Sequence, residues 1–132
     1  MKEKEISKIV QYWTKTAEHD YETMLALFRI KRYSDSLFFG HIILEKILKA
    51  HVVKHTKKQA PYIHDLVRLA SIAKLELEND VLLFLNQVND FNIRARYPEY
   101  KFQFYKTCTK KFADKHLKQI IKIYKDLCQR IK

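Results

Sequence analysis

A chain of 132 residues with 47% hydrophobic and 31% charged side chains has the balance of a globular domain, large enough for one core and too small for two. Its single glycine, Gly40, and two prolines, Pro61 and Pro98, exclude a glycine-built phosphate loop of the Walker or Rossmann kind and argue against a strand-rich fold. Tight hairpins and phosphate cradles both need backbone free of a Cβ. The formal net charge of +11 makes an anionic partner the electrostatic expectation.

Apolar residues Ile6, Ile9, Val10, Trp13, Ala17, Tyr21, Met24, Leu25 and Phe28 recur at three- and four-residue steps, which predicts a first helix from about Lys4 to Ile30. Ser34 or Asp35 is expected to cap a second helix that carries Leu37, Phe38, His41, Ile42, Leu44, Ile47, Leu48 and Val52 and ends near His55. The polar stretch from Lys54 to Gln59, followed by Pro61, reads as a loop. A short helix follows over His64 to Ala73, with Leu66, Val67, Leu69 and Ala70 inward. Asn79 or Asp80 is expected to cap a fourth helix through Val81, Leu82, Phe84, Leu85, Val88, Phe91 and Asn92. It stops at Arg96-Tyr97-Pro98, because a residue before proline is pushed out of the α region. After an aromatic loop, a last helix from about Thr107 buries Phe112, Leu117, Ile120, Ile121, Tyr124, Leu127 and Ile131.

These elements predict an all-α fold, an up-and-down antiparallel helical bundle of four long helices with one short helix at an end, in a single domain over residues 1–132. Gly40 costs a helix about 1 kcal/mol relative to alanine. With Phe38, Phe39 and Ile42 around it, it is read as a point where a neighbouring helix comes close. Cys108 and Cys128 stand far apart with no CxxC spacing, and no export signal or membrane span is visible. A reduced, cytoplasmic protein without membrane association is therefore expected.

Four features depart from plain bundle patterning. Asp20 lies on the apolar stripe of the first helix, where a carboxylate calls for a cationic partner on another helix, as a structural pair or as part of a site. His41, Glu45 and Lys49 share one face of the second helix at steps of four, and Lys46 adjoins them. Glu45 before Lys49 is the favourable order for a helical ion pair, and His41 on a mostly apolar helix reads as a satisfied core histidine rather than a catalyst or ligand. His51 and His55 have the i, i+4 spacing of metal ligands but no third ligand nearby, so neither a metal nor another cofactor is expected. Arg94, Arg96, Tyr97 and Tyr100 gather at a helix end, where guanidinium forks suit phosphate and rings suit bases, or where the arginines merely stabilise the helix carbonyls. From Lys101 to Lys132 ten basic residues face only Asp114 and Asp126, a net of +8. The last helix is thus a basic rod fit for RNA, DNA or an acidic protein, or a solvated face.

Taken in order, Trp13 to Asp20, Tyr33, His41-x-x-x-Glu45-Lys46-x-x-Lys49-Ala50, His64-Asp65-Leu66 and Arg94-Ala95-Arg96-Tyr97-Pro98 resemble the HEPN domain (higher eukaryotes and prokaryotes nucleotide-binding) over nearly the whole chain. The Glu-Lys-x-x-Lys-Ala step and the Arg-Tyr-Pro element are the most specific parts. The resemblance implies a helical bundle that forms homodimers and holds nucleotide or RNA, and a nucleotidyltransferase-type protein partner in a toxin–antitoxin-like pair. Lys49, Arg94, Arg96 and Tyr97 would contact phosphate and base, with Asp20, His41 and Glu45 in support. Many catalytic members are metal-independent ribonucleases with Arg, four to six residues, then His. Here the positions after Arg94 are Glu99, Tyr100 and Lys101, and those after Arg96 are Lys101, Phe102 and Gln103. Lacking that acid–base group, which typically contributes about 10²–10⁴-fold, the chain reads as a binding module rather than an enzyme. The alternatives are a ribonuclease toxin and a structural module docking through Phe102, Phe104 and Tyr105.

Overall fold

The computed structural model describes residues Met1–Lys132 and contains six helices and no strand: α1 (Glu3–Arg29), α2 (Tyr33–Thr56), α3 (Leu66–Ile72), α4 (Asn79–Arg96), α5 (Pro98–Thr107) and α6 (Lys110–Arg130). The four long helices are those the apolar spacing predicts. None of the helices is long and apolar enough to cross a membrane.

α2 organises the rest because it is apolar nearly all round. It packs against every other helix, and its buried residues include Leu37, Ile43, Leu44, Ile47, Leu48, Val52 and Val53. A helix surrounded in this way must satisfy any polar group it buries. Ser36 does so through its hydroxyl, which donates to the Met24 carbonyl at 2.8 Å, and His51 through Nε2–H, which donates to the Leu127 carbonyl at 2.8 Å. The core draws on all six helices. Gly40 is the close approach its setting suggests: a Cβ built there would lie 2.7 Å from Ile120 Cδ1 on α6 and 3.7 Å from the Met24 sulfur on α1.

With glycine scarce, lysine takes its place at the helix ends. Lys31, Lys57 and Lys74 adopt positive φ of 65°, 62° and 52°. After α1 the amides of Lys31 and Arg32 bond back to the Phe28 and Leu27 carbonyls, and after α3 those of Lys74 and Leu75 bond back to Ser71 and Ala70. Both ends close as Schellman motifs without the usual glycine.

The expected aromatic loop is instead α5. Pro98 occupies its first turn, where the missing N–H has no helical partner to lose and the fixed φ suits a helix start. Proline therefore ends α4 and begins α5. Phe104 is fully buried and packs on Phe91 at 5.6 Å between ring centroids, so it is a core residue and not part of a docking loop. Phe102 and Tyr105 are exposed. α6 starts at Lys110 rather than near Thr107, capped by the Thr109 hydroxyl, which accepts from the Phe112 amide. Neither Ser34 nor Asp35 caps α2; both lie inside it, and Asp35 pairs with Arg32. α4 likewise begins after Glu78 with no side-chain cap.

Candidate functional site

The polar groups of α1 and α2 form a connected set. Asp20 projects from α1 to Lys46 on α2, 2.5 Å from its ammonium, which is the cationic partner that its place on an apolar stripe calls for. One turn further along α2, Lys49 is almost wholly buried. Its ammonium donates to Glu45 Oε2 at 3.0 Å and rests 5.3 Å from the centre of the Trp13 ring. Glu45 is therefore the counter-charge of a buried cation rather than half of an exposed helical pair.

The other Glu45 oxygen binds an imidazole from outside the helix. His64 Nδ1–H donates to Oε1 at 2.9 Å. His64 lies in the connection between α2 and α3, and three contacts hold it there. His41 Nε2–H donates to its backbone carbonyl at 2.9 Å. Asp65, the next residue, caps α3 by accepting from the Val67 and Arg68 amides. Asn89 of α4 clamps the same turn, accepting from the Leu66 amide at 2.9 Å and donating to Asp65 at 3.0 Å. Burial pushes the His41 imidazole below its ordinary value against the opposing pull of Glu45. It thus serves as a neutral donor with its Nδ1 3.8 Å from Glu45. With Nδ1 committed to Glu45, the half-exposed His64 ring has Nε2 left for a ligand.

His64 opens onto a cleft of about 410 Å³ whose far wall is the last two turns of α4, with Asn89, Asn92, Arg96 and Tyr97. This volume lies within the range of small-molecule sites. Arg96 and Tyr97 are exposed, and the Arg96 guanidinium makes no ion pair or hydrogen bond within the protein. The cleft therefore holds one uncommitted cation, one aromatic ring and one oriented imidazole, beside the Asp65 carboxylate that caps α3.

Arg94 does not join them. It points away toward α5, with its guanidinium 5.0 Å from the centre of the Phe104 ring and 3.9 Å from Asp90. Two residues apart on a helix are about 200° apart around it, so Arg94 and Arg96 cannot share a face. Of the seven residues singled out in the sequence, Arg96 and Tyr97 line the cleft. Glu45 reaches it through His64, and His41 reaches it through the His64 carbonyl. Lys49 lies behind Glu45, and Asp20 is paired with Lys46 farther along α1. Nothing in the sequence placed Asn89 in the site, Asn92 stood only at the start of the stretch that ends at Tyr100, and His64 stood only in the His64-Asp65-Leu66 motif, with no spacing to tie it to the arginines. The signal for the asparagines was present in Asn86, Asn89 and Asn92, which recur at three-residue steps along α4.

A larger depression of about 910 Å³ lies between α6 and the α3–α4 connection. Its arginine, Arg130, is spent on Asp126 and on the Glu76 carbonyl. The two thiols are chemically quiet: burial pushes Cys108 up to about 12 and Cys128 upward, so neither is a thiolate near neutral pH. His51 is committed to Leu127 while His55 is exposed. Lys111, Lys115, Lys118, Lys122 and Lys125 follow one another at steps of four and three along the exposed side of α6, and among them only Lys118 has an acidic partner, Asp114.

The HEPN domain family model matches residues 10–131. The chain belongs to the HEPN family. Every cleft residue of this HEPN domain falls within the matched span, as do Glu45, Lys49 and Asp20. No curated protein and no solved structure matches the chain.

Proposed function

We propose that this HEPN domain is a homodimeric binding module for nucleotide or RNA that acts with a nucleotidyltransferase-type partner, and that the phosphate is taken in the cleft between His64 and the end of α4. The observation that carries the reading is Arg96: a guanidinium with no partner of its own, one residue from an exposed tyrosine, facing an imidazole that Glu45 holds in place. A guanidinium fork binds phosphate bidentately, and an adjacent ring accepts a stacked base. The lysine row on α6 adds a field that concentrates anions near the protein. Dimerisation and the nucleotidyltransferase partner rest on the family resemblance. The test is titration of purified protein with ATP and with a short RNA at two salt concentrations. Binding that weakens with salt and is lost in Arg96→Ala is the expected result, and absence of binding at low salt overturns the reading.

His64 also gives substance to a second reading. The positions after Arg94 and Arg96 that would carry the ribonuclease histidine hold none, yet an oriented imidazole reaches the same cleft from the α2–α3 connection. In metal-independent RNA cleavage it would be the proton-transfer group. Growth arrest with RNA degradation on overexpression, abolished by His64→Ala and by Arg96→Ala, would support catalysis. Harmless overexpression with intact RNA leaves the binding module.

A further inference from the structure

Asn92 is nine-tenths buried, yet its side-chain amide makes no hydrogen bond with the protein. It is not sealed in, because the only fully sequestered side-chain polar atom without a partner is the Trp13 indole nitrogen. Asn92 lines the cleft, where its amide is open to a ligand. A buried amide that forgoes its hydrogen bonds lowers stability, and natural cores rarely keep one without a reason. Its neighbour Asn89 shows the contrast, with both amide atoms committed to the start of α3.

The geometry points to Asn92 as the group that reads the base of a nucleotide whose phosphate lies at Arg96, with adenine as the base; this rests on the phosphate-binding reading of the same cleft. Asn92 and Arg96 are four residues apart, so they stand on one face of α4 about 6 Å apart along its axis. A carboxamide offers a donor beside an acceptor. The N6 amino group and N7 of adenine present the complementary pair, the side-chain-to-base match that asparagine makes bidentately. Tyr97, next to Arg96, supplies an exposed ring for stacking. His64 Nε2 stands across the cleft as a second phosphate contact. Asn89 is fixed, leaving Asn92 as the deepest polar group open to a ligand.

The test uses the full chain, with ATP and inorganic tripolyphosphate as probes in calorimetric titrations at low salt. Asn92→Leu, which keeps the branched shape of the side chain and removes its polar atoms, should fold with unchanged or higher Tm while its affinity for ATP falls at least ten-fold and its affinity for tripolyphosphate does not change. Asn92→Ala, which cannot overpack, should repeat the loss. Equal ATP affinity in wild type and both variants overturns the base-reading role while leaving phosphate binding intact. Wild-type protein that binds tripolyphosphate but gains nothing from the adenosine of ATP overturns it too. Wild-type protein that binds neither probe refutes the phosphate reading itself, and Arg96→Ala, which should weaken both probes alike, separates the two failures.

Discussion

Glu45→Gln tests the most heavily connected residue of the site. The substitution keeps the shape of the side chain and removes its charge, so Lys49, whose side chain is 6% exposed, loses its counter-ion while the Trp13 ring face stays beneath its ammonium. Removing one partner of a buried pair costs about 3–5 kcal/mol. Glu45 keeps 15% exposure, and the glutamine oxygen still accepts one hydrogen bond, which brings the expected loss to about 2–3 kcal/mol. Lys49→Met alone should cost about 1–2 kcal/mol, since Glu45 retains His64 and some water. The double variant should be more stable than Glu45→Gln alone, because no unpaired buried charge remains, giving a coupling energy of about 2 kcal/mol. Urea unfolding followed by the emission of Trp13, the one tryptophan, reads this directly, with m-values required to stay constant. Single-variant losses that add to within about 0.5 kcal/mol would show that Lys49 and Glu45 do not depend on each other. The double variant should not regain ligand affinity, since the carboxylate that orients His64 is still missing.

Two further predictions concern the core. Gly40→Ala gains about 1 kcal/mol of helix propensity but drives a methyl into the fully buried Ile120, at a cost of about 1–3 kcal/mol. It should lower Tm, whereas Gly40→Ala combined with Ile120→Val, which deletes the clashing Cδ1, should melt no lower than Ile120→Val alone. Burial lowers the pKa of both His41 and His51 from 6.5, so below that pH the unfolded chain binds protons that the folded one refuses. Stability should fall as pH drops from 7 to 5.5, by at most about 1.4 kcal/mol per pH unit for each imidazole. Urea midpoints across that range should show a shallower slope in His51→Gln, and a midpoint that rises on acidification would contradict the assignment.

Legibility differed sharply between fold and site. Helix positions and the inward faces of α1, α2, α4 and α6 could be read because apolar spacing records directly which side of a helix is buried. α5 could not, since Tyr100, Phe102 and Phe104 alternate with polar residues and only the packing of Phe104 on Phe91 singles out one side. The Asp20 pair was legible as a need, because a carboxylate on an apolar stripe demands a cation, but nothing in the sequence distinguished Lys46 from Lys49 as its source. Arg94 and Arg96 looked like a pair by proximity in sequence, although helical rotation sets them on different sides. His64 was hidden for the opposite reason: its partner Glu45 is nineteen residues away, across a connection whose path depends on Asn89 and the Asp65 cap.

Those contacts explain why a helix with little amphipathic character can still organise a polar cleft. α2 packs against every other helix, so Glu45 and Lys49 have little access to bulk water, and each must find a partner within reach. Glu45 does so by drawing in His64 from the following connection, which places an imidazole opposite α4. The Pro98 restriction ends α4 at Arg96, leaving that guanidinium and Tyr97 at the open end of the same cleft. The cleft thus follows from two unrelated constraints, the enclosure of a charged pair and the stop before a proline. A change to either should therefore alter ligand affinity while the bundle stays folded. Pro98→Ala removes only the second: continuing α4 by a turn would carry Tyr97 out of its extended conformation, so a drop in ATP affinity with little change in Tm is the expected result, and unaltered affinity would show that the proline has no part in shaping the cleft.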